Sequence, residues 1–372
     1  LNVQGLSALQ TLNCSGNELP ALNVQGLAAL QELECRNNQL IALNLRGMTA
    51  LQGLWCSGNK LAALNVRDLR ALQTLRCNGN LFTELDVHGL KALQNLSCKN
   101  NKLVALNVQG CTALEELECD ANQLTALDVH GLTALKELQC YDNLFTDLNV
   151  QGCTALEKLE CYDNRLTELK AQDCTALEKL HCRKNQLTVL NVQGGLTALQ
   201  NLSCNENQLT ALNVQGCIAL HSLSCNKNRL SDLNVQGCTA LQNLSCEENQ
   251  LTALNVQGCT ALQTLRCSEN QLAVLNVQGC TALSWLGCTG NKLTALNVKD
   301  FTALGMLSCA KNQLTDLNVQ GCTALRGLDC LSNKLDAQAF TKLFSDLPQS
   351  IIYAYCYLYT EEKGVSEGNC KD

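Results

Sequence analysis

The chain has 372 residues, 46% of them apolar, a net charge of −7 and an isoelectric point near 5.3. An acidic balance without a basic stripe argues against a surface that reads phosphates, so nucleic acid is not an expected partner. No apolar run approaches the roughly 20 residues that span a bilayer, so no transmembrane segment is expected.

From the first residue to about residue 335 the sequence repeats every 21 residues, in clean form at residues 262–282, LQTLRCSENQLAVLNVQGCTA. The pattern reduces to LxxLxCxxNxLxxLxVxGCTA. A fixed period of this length predicts a solenoid of about sixteen coils, each burying its apolar face against its neighbours. The chain opens inside a repeat, at LNVQGL, without an initiating Met or leader, as a mature or trimmed fragment would.

Within a repeat, LxxLxC alternates as a strand, with Leu and Cys inward and the residues between them outward. The Asn that follows, from Asn17 to Asn333, sits where the chain leaves the strand. There it is placed to bond the backbone of adjacent coils, a structural role expected of Asn122, Asn143 and Asn164. The return half, LxxLxVxG, is too short for an amphipathic helix and repeats L-x-V at strand spacing. Its Gly column is replaced only by Asp68, Asp173 and Asp300, which predicts a left-handed backbone there. The single insertion, Gly194-Gly195, falls in this return loop.

Residues 336–372 break the pattern and read as a C-terminal cap on the solenoid of residues 1–335. DAQAFTKLFSDL predicts a helix capped by Asp336, with Phe340, Leu343, Phe344 and Leu347 on one face and Pro348 after it. IIYAYCYLY predicts a strand with Ile352, Ala354, Cys356 and Leu358 on one side and Tyr353, Tyr355, Tyr357 and Tyr359 on the other. The tyrosine row offers a second reading, a weak self-association surface. Cys370, in the polar tail, is expected to be accessible.

Sixteen of the 26 cysteines form one column at the end of the strands, Cys119, Cys140 and Cys161 among them. Successive members would stand about 4.8 Å apart with side chains pointing the same way, a poor geometry for disulfides. They are expected as free, buried thiols acting as small hydrophobes. Eight more, including Cys111, Cys153, Cys217 and Cys259, share a column with Leu6, Leu27, Met48, Leu90, Leu132 and Phe301, and so belong to the core. Ligands that do not converge make a metal site improbable.

The core LxxLxCxxNxL resembles the leucine-rich repeat, with Cys where that family usually carries a third Leu, and the resemblance covers about nine tenths of the chain. Units of 21 residues with a strand cysteine look most like the cysteine-ladder subgroup of bacterial internalin-type repeats. The resemblance implies a β-rich leucine-rich-repeat solenoid, α/β by convention: right-handed coils, one long parallel sheet on the concave face, and little helix outside the cap. It also implies a bacterial surface-displayed or secreted virulence or adhesion protein that binds a host or neighbouring-cell protein. An intracellular or periplasmic scaffold, with cytoplasmic thiols kept reduced, is the alternative.

If the sheet is a scaffold, recognition belongs to its outward columns. Charge and aromatics concentrate there in repeats six to nine, at Glu116, Glu118, Asp120, Glu137, Tyr141, Asp142, Lys158, Glu160, Tyr162, Asp163, His181 and Arg183. An acidic strip with two neighbouring tyrosines would receive a basic or amphipathic partner protein, whereas a merely solvated charged face would do nothing more than keep the chain soluble. Trp55 and Trp285 are candidate contacts outside the strip, with packing over neighbouring side chains of the sheet as the equal alternative. A ladder of single carboxylates at Asp120, Asp142 and Asp163 supplies too few oxygens for calcium. His88 and His130 occupy a polar outer column, and His181 and His221 have no nucleophile beside them. No enzyme, cofactor or metal is therefore expected.

Overall fold

Three outward-inward-outward residues per repeat are enough for a strand when an identical strand lies on each side of it. The computed structural model describes residues 3, 5–192, 195–348 and 355–357. It divides into two units, Leu1–Leu187 and Thr188–Asp372. Coils are named here by their ladder cysteine.

In the first unit nine strands pair in parallel, each residue against the one 21 positions on: Thr11–Asn13, Glu32–Glu34, Gly53–Trp55, Thr74–Arg76, Asn95–Ser97, Glu116–Glu118, Glu137–Gln139, Lys158–Glu160 and Lys179–His181. In the second unit seven do so, Asn201–Ser203, Ser222–Ser224, Asn243–Ser245, Thr264–Arg266, Trp285–Gly287, Met306–Ser308 and Gly327–Asp329, and Tyr355–Tyr357 adds an eighth parallel strand, paired with Gly327–Asp329 at an offset of 28 residues. The central Leu of every repeat strand from Glu32–Glu34 to Gly327–Asp329, and the Cys after it, is buried, so each unit's core is a stack of identical layers. The parallel sheet and the solenoid are as expected from the repeat.

The Asn column does what its chemistry allows. Asn59 Nδ2 donates to Cys35 O in the preceding coil (2.9 Å) and Cys56 O in its own (3.0 Å), while its Oδ1 accepts from Leu40 N (3.0 Å). Asn249 repeats this with Cys225 O, Cys246 O and Leu230 N at 3.0, 3.1 and 3.0 Å. Asn122, Asn143 and Asn164 do the same in their coils. One side chain thus satisfies three buried backbone groups in two coils, which a Leu or Ala could not.

Among the described residues twenty-four cysteines are buried thiols outside any disulfide. Burial pushes the Cys161 thiol up to about 12, far from the thiolate that would be reactive. The second cysteine column adds something its hydrophobic alternates lack: Cys111 Sγ donates to Val87 O (3.1 Å) and Cys322 Sγ to Val298 O (3.1 Å), in each case bonding the preceding coil.

The return half forms short parallel pairs, Glu84–Asp86 with Ala105–Asn107 in the first unit, and Ala211–Asn213 with Asp232–Asn234 and Ala253–Asn255 with Val274–Asn276 in the second. Its Gly column is left-handed, as at Gly26 (φ 87°), and Asp300 keeps that conformation (φ 63°). Asp68 and Asp173 do not, so at those two coils the backbone has moved out of the left-handed region instead of bearing its strain. A second left-handed column, two residues after the ladder Cys, runs through all sixteen coils from Gly16 to Ser332, yet only four of its members are Gly.

The helix Ala337–Asp346 begins at Asp336, whose Oδ1 accepts from Ala339 N (2.7 Å). Phe340 and Leu343 are buried, but Phe344 is 50% exposed, because it stacks on the outer side of Phe340 instead of entering the core. Tyr355–Tyr357 pairs with Gly327–Asp329; Cys356 takes the register place opposite Leu328 but is exposed. Ile352, Tyr353, Ala354, Leu358, Tyr359, Cys370 and Gly194 lie outside the described residues.

Candidate interaction face

The outward positions of a repeat strand are the first and third, and the residue just after the ladder Cys forms a third column beside them. In the Cys119 to Cys182 coils these columns carry nearly all of the candidate residues. Tyr141 and Tyr162, in the third column, stack with ring centres 4.3 Å apart and planes 8° from parallel. Arg183 lies over the other face of Tyr162 at 4.6 Å. The Tyr141 hydroxyl is hydrogen-bonded to Asp120, and burial and that carboxylate raise its pKa. The two tyrosines thus act as one block.

The strip is less acidic than its sequence suggests. Glu118 is paired with Lys99 (3.0 Å) and accepts from Ser97 Oγ (2.5 Å). Lys158 lies between Glu137 (3.7 Å) and Glu160 (3.6 Å), and Glu160 also accepts from Lys179 Nζ at 2.8 Å. Burial acts to raise the Glu118 and Glu160 pKa values, but their hydrogen bonds and lysines outweigh it and hold both below the ordinary 4.5. Glu160 is only 9% exposed, roofed by the two lysines, so it serves as the hub of a charge network more than as a displayed contact. His181 Nδ1 stands 3.7 Å from Glu160, while burial and Lys179 lower its pKa below 6.5 and favour the neutral ring. Glu116 is exposed and outside these pairs.

Trp55 and Trp285 are each folded onto a glycine of their own strand. A Cβ at Gly53 would collide with the Trp55 ring, and one at Gly287 with the Trp285 ring. Arg36 lies 5.6 Å from the Trp55 ring centre and Arg266 4.7 Å from that of Trp285. Both indoles are therefore sandwiched, and neither joins the Tyr141–Tyr162 block.

Asp120 stands in a different column from Asp142 and Asp163, and Asp163 pairs with Lys184 (3.3 Å), so the three do not form a carboxylate ladder. Among the described residues no cluster of three His, Cys, Asp or Glu could hold a metal ion. Asp120 itself is 2% exposed, its Oδ1 has no hydrogen-bond partner, and burial raises its pKa. Sequence reasoning named Asp120 but could not see this burial, which comes from neighbours one coil away.

Coils stacked on inward Leu and Cys, with an Asn ladder at the turn, define a leucine-rich-repeat solenoid. No family model and no curated protein matches the sequence. Among solved structures, the functional domain of InlJ from Listeria monocytogenes, which includes a cysteine ladder, is 31% identical over 86% of this chain and 71% of its own, with a TM-score of 0.74. The chain belongs to the leucine-rich-repeat family of the cysteine-ladder internalin type. It is also similar to a leucine-rich-repeat protein of Leptospira interrogans (26% identity, 95% and 90% of the two chains, TM-score 0.70). YopM of Yersinia enterocolitica shares the fold (24%, 96% and 77%, TM-score 0.74). The architecture is that of a protein-interaction module.

Proposed function

We propose that the chain is a non-enzymatic recognition module, displayed on or secreted from a bacterial cell, that binds a protein of a host or neighbouring cell. Its contact zone is the sheet face of the Cys119 to Cys182 coils, and residues 336–372 cap the solenoid. The observation that carries this reading is the contrast between uniform inward columns and an outward face that in these four coils combines a stacked tyrosine pair with a charge network. A large, rigid aromatic block ringed by polar groups is the usual anchor of a protein interface. Surface display is supported by the relation to the InlJ domain and is compatible with the thiols, which burial protects in an oxidising medium as well as in a reducing one. No helix among the described residues is long and apolar enough to cross a membrane.

The test is binding of the fluorescently labelled chain to host cells and to neighbouring bacteria, before and after those cells are treated with protease. The expected result is saturable binding that protease removes and that Tyr141→Ala/Tyr162→Ala/Glu116→Lys reduces at least about tenfold, the scale of a lost hot spot, with unchanged circular dichroism. Unchanged binding by the triple variant would overturn the contact zone. Absence of a protease-sensitive site on every cell type would overturn the adhesion reading. Glu160 is left intact because its reversal would gather three lysines at one buried point.

A further inference from the structure

Among the described residues guanidinium groups cover aromatic rings three times, always from a neighbouring coil: Arg36 on Trp55, Arg183 on Tyr162 and Arg266 on Trp285. The two indoles have backbone glycine against them, and Tyr162 has Tyr141. The block Arg183, Tyr162, Tyr141 crosses three successive coils and ends on a ring face over which, among the described residues, no cation lies. The coil on that side carries Asp120.

One oxygen of the Asp120 carboxylate lacks a donor. The carboxylate meets the hydroxyl end of Tyr141, its Oδ1 is buried without a partner, and Lys99 acts on it only through space while bonded to Glu118. A buried carboxylate oxygen left without a donor is costly, by more than the roughly 1–3 kcal/mol of an unpaired neutral group. Exposed Glu116 and half-buried Glu118 add negative field on the same strand.

We infer that the end of this block is the seat of an arginine side chain presented by the protein partner. The guanidinium plane lies on the free face of Tyr141, as Arg183 lies on Tyr162, and donates to Asp120, with Glu116 beside it. Lysine fits less well, because only the planar guanidinium both stacks on a ring and offers a fork of donors to a carboxylate. Reaching Oδ1 takes a side-chain adjustment of the kind interfaces commonly make on binding. The inference rests on the reading of this face as a protein-binding surface, and adds the residue type that the partner must bring.

The probes are N-acetyl-arginine amide and its lysine and citrulline counterparts, titrated into the full chain and followed by NMR of its tyrosine ring signals. The arginine probe is expected to shift the Tyr141 and Tyr162 signals with a dissociation constant on the order of millimolar, the lysine probe about tenfold more weakly, and citrulline not at all. Asp120→Asn should abolish the shifts while leaving circular dichroism intact, Tyr141→Leu should weaken binding with Asp120 in place, and Asp163→Asn should change nothing. Citrulline binding as well as arginine, full binding to Asp120→Asn, or no shift with any probe would overturn the inference. The proposed function stands or falls separately: cell binding that depends on Tyr141 and Tyr162, without arginine-selective shifts, removes the arginine seat alone.

Discussion

Two stretches of sheet, one in each unit, share a backbone and differ in what they display. In the Cys119 to Cys182 coils the strand residues facing outward are Glu116, Glu118, Glu137, Gln139, Lys158, Glu160, Lys179 and His181. In the Cys204 to Cys246 coils they are Asn201, Ser203, Ser222, Ser224, Asn243 and Ser245, without a charge among them. The first stretch is tied across its coils by ion pairs and stacked rings. The second is tied by short neutral bonds, Ser224 Oγ to Asn205 Oδ1 (2.8 Å) and Ser245 Oγ to Asn226 Oδ1 (2.9 Å). Beneath both, the inward Leu, Cys and Asn columns are alike. The difference teaches that the inward columns hold the coils together, which leaves the outward ones free to diversify for recognition.

The strongest way to break that comparison is to attack the shared core in both places. Cys161→Asp and Cys246→Asp each bury an unpaired charge at a fully buried site. Each is expected to cost about 4 kcal/mol or more, confined to the mutated coil and its neighbours because contacts in a solenoid are local. Hydrogen exchange resolved by peptide should show equal local loss in the two units. A much smaller loss at Cys161 would mean that the charge network above it, and not the core, holds those coils.

The displayed layers should separate by pH. Glu160 has its folded pKa lowered below 4.5, so its ionised form stabilises the first unit at all pH values above about 5, and that stability is lost as pH falls through the lowered value. Glu160→Gln leaves Lys158 and Lys179 without their shared partner and is expected to cost on the order of 1–3 kcal/mol at pH 7, shrinking toward zero in acid. Ser245→Ala should cost roughly 0.5–1 kcal/mol, the worth of one neutral hydrogen bond, at every pH. Urea unfolding at pH 7 and pH 3, read locally in each unit, checks both. A Ser245→Ala effect as pH-dependent as that of Glu160→Gln would remove the distinction.

What the sequence made legible follows the same division. A column identical in every repeat has one environment, so the inward place of Leu159 and Cys161 and the bonding role of Asn164 could be read from the period alone. The outward side chains depend on which residue happens to stand one coil away, and a period carries no such information. Thus Trp55 reads equally as a contact or as a packed ring until Arg36 and Gly53 are seen to sandwich it, and Glu160 reads as displayed until Lys158 and Lys179 close over it. One pairing was visible in hindsight: in both strands that contain Trp, GLW and WLG, the other outward residue is Gly.

The left-handed column two residues after the ladder Cys was hidden for another reason, and it supplies the finest test. Gly marks it at only four coils, while Ala121 (φ 52°) in the first unit and Lys227 (φ 54°) in the second adopt it without that freedom. An L-residue there bears roughly 1–2 kcal/mol of steric cost, of which the greater chain entropy of an unfolded glycine takes back about half. Ala121→Gly and Lys227→Gly are therefore each expected to stabilise their coils by about 0.5–1 kcal/mol, whatever the face above displays. The reverse change, Gly58→Ala, should destabilise, because its new Cβ would also collide with the Asn37 side chain. Local urea midpoints that rise for both glycine variants keep the backbone column independent of the surface. A gain at Lys227 with none at Ala121, next to buried Asp120, would show that the charged face constrains its own backbone as well as its side chains.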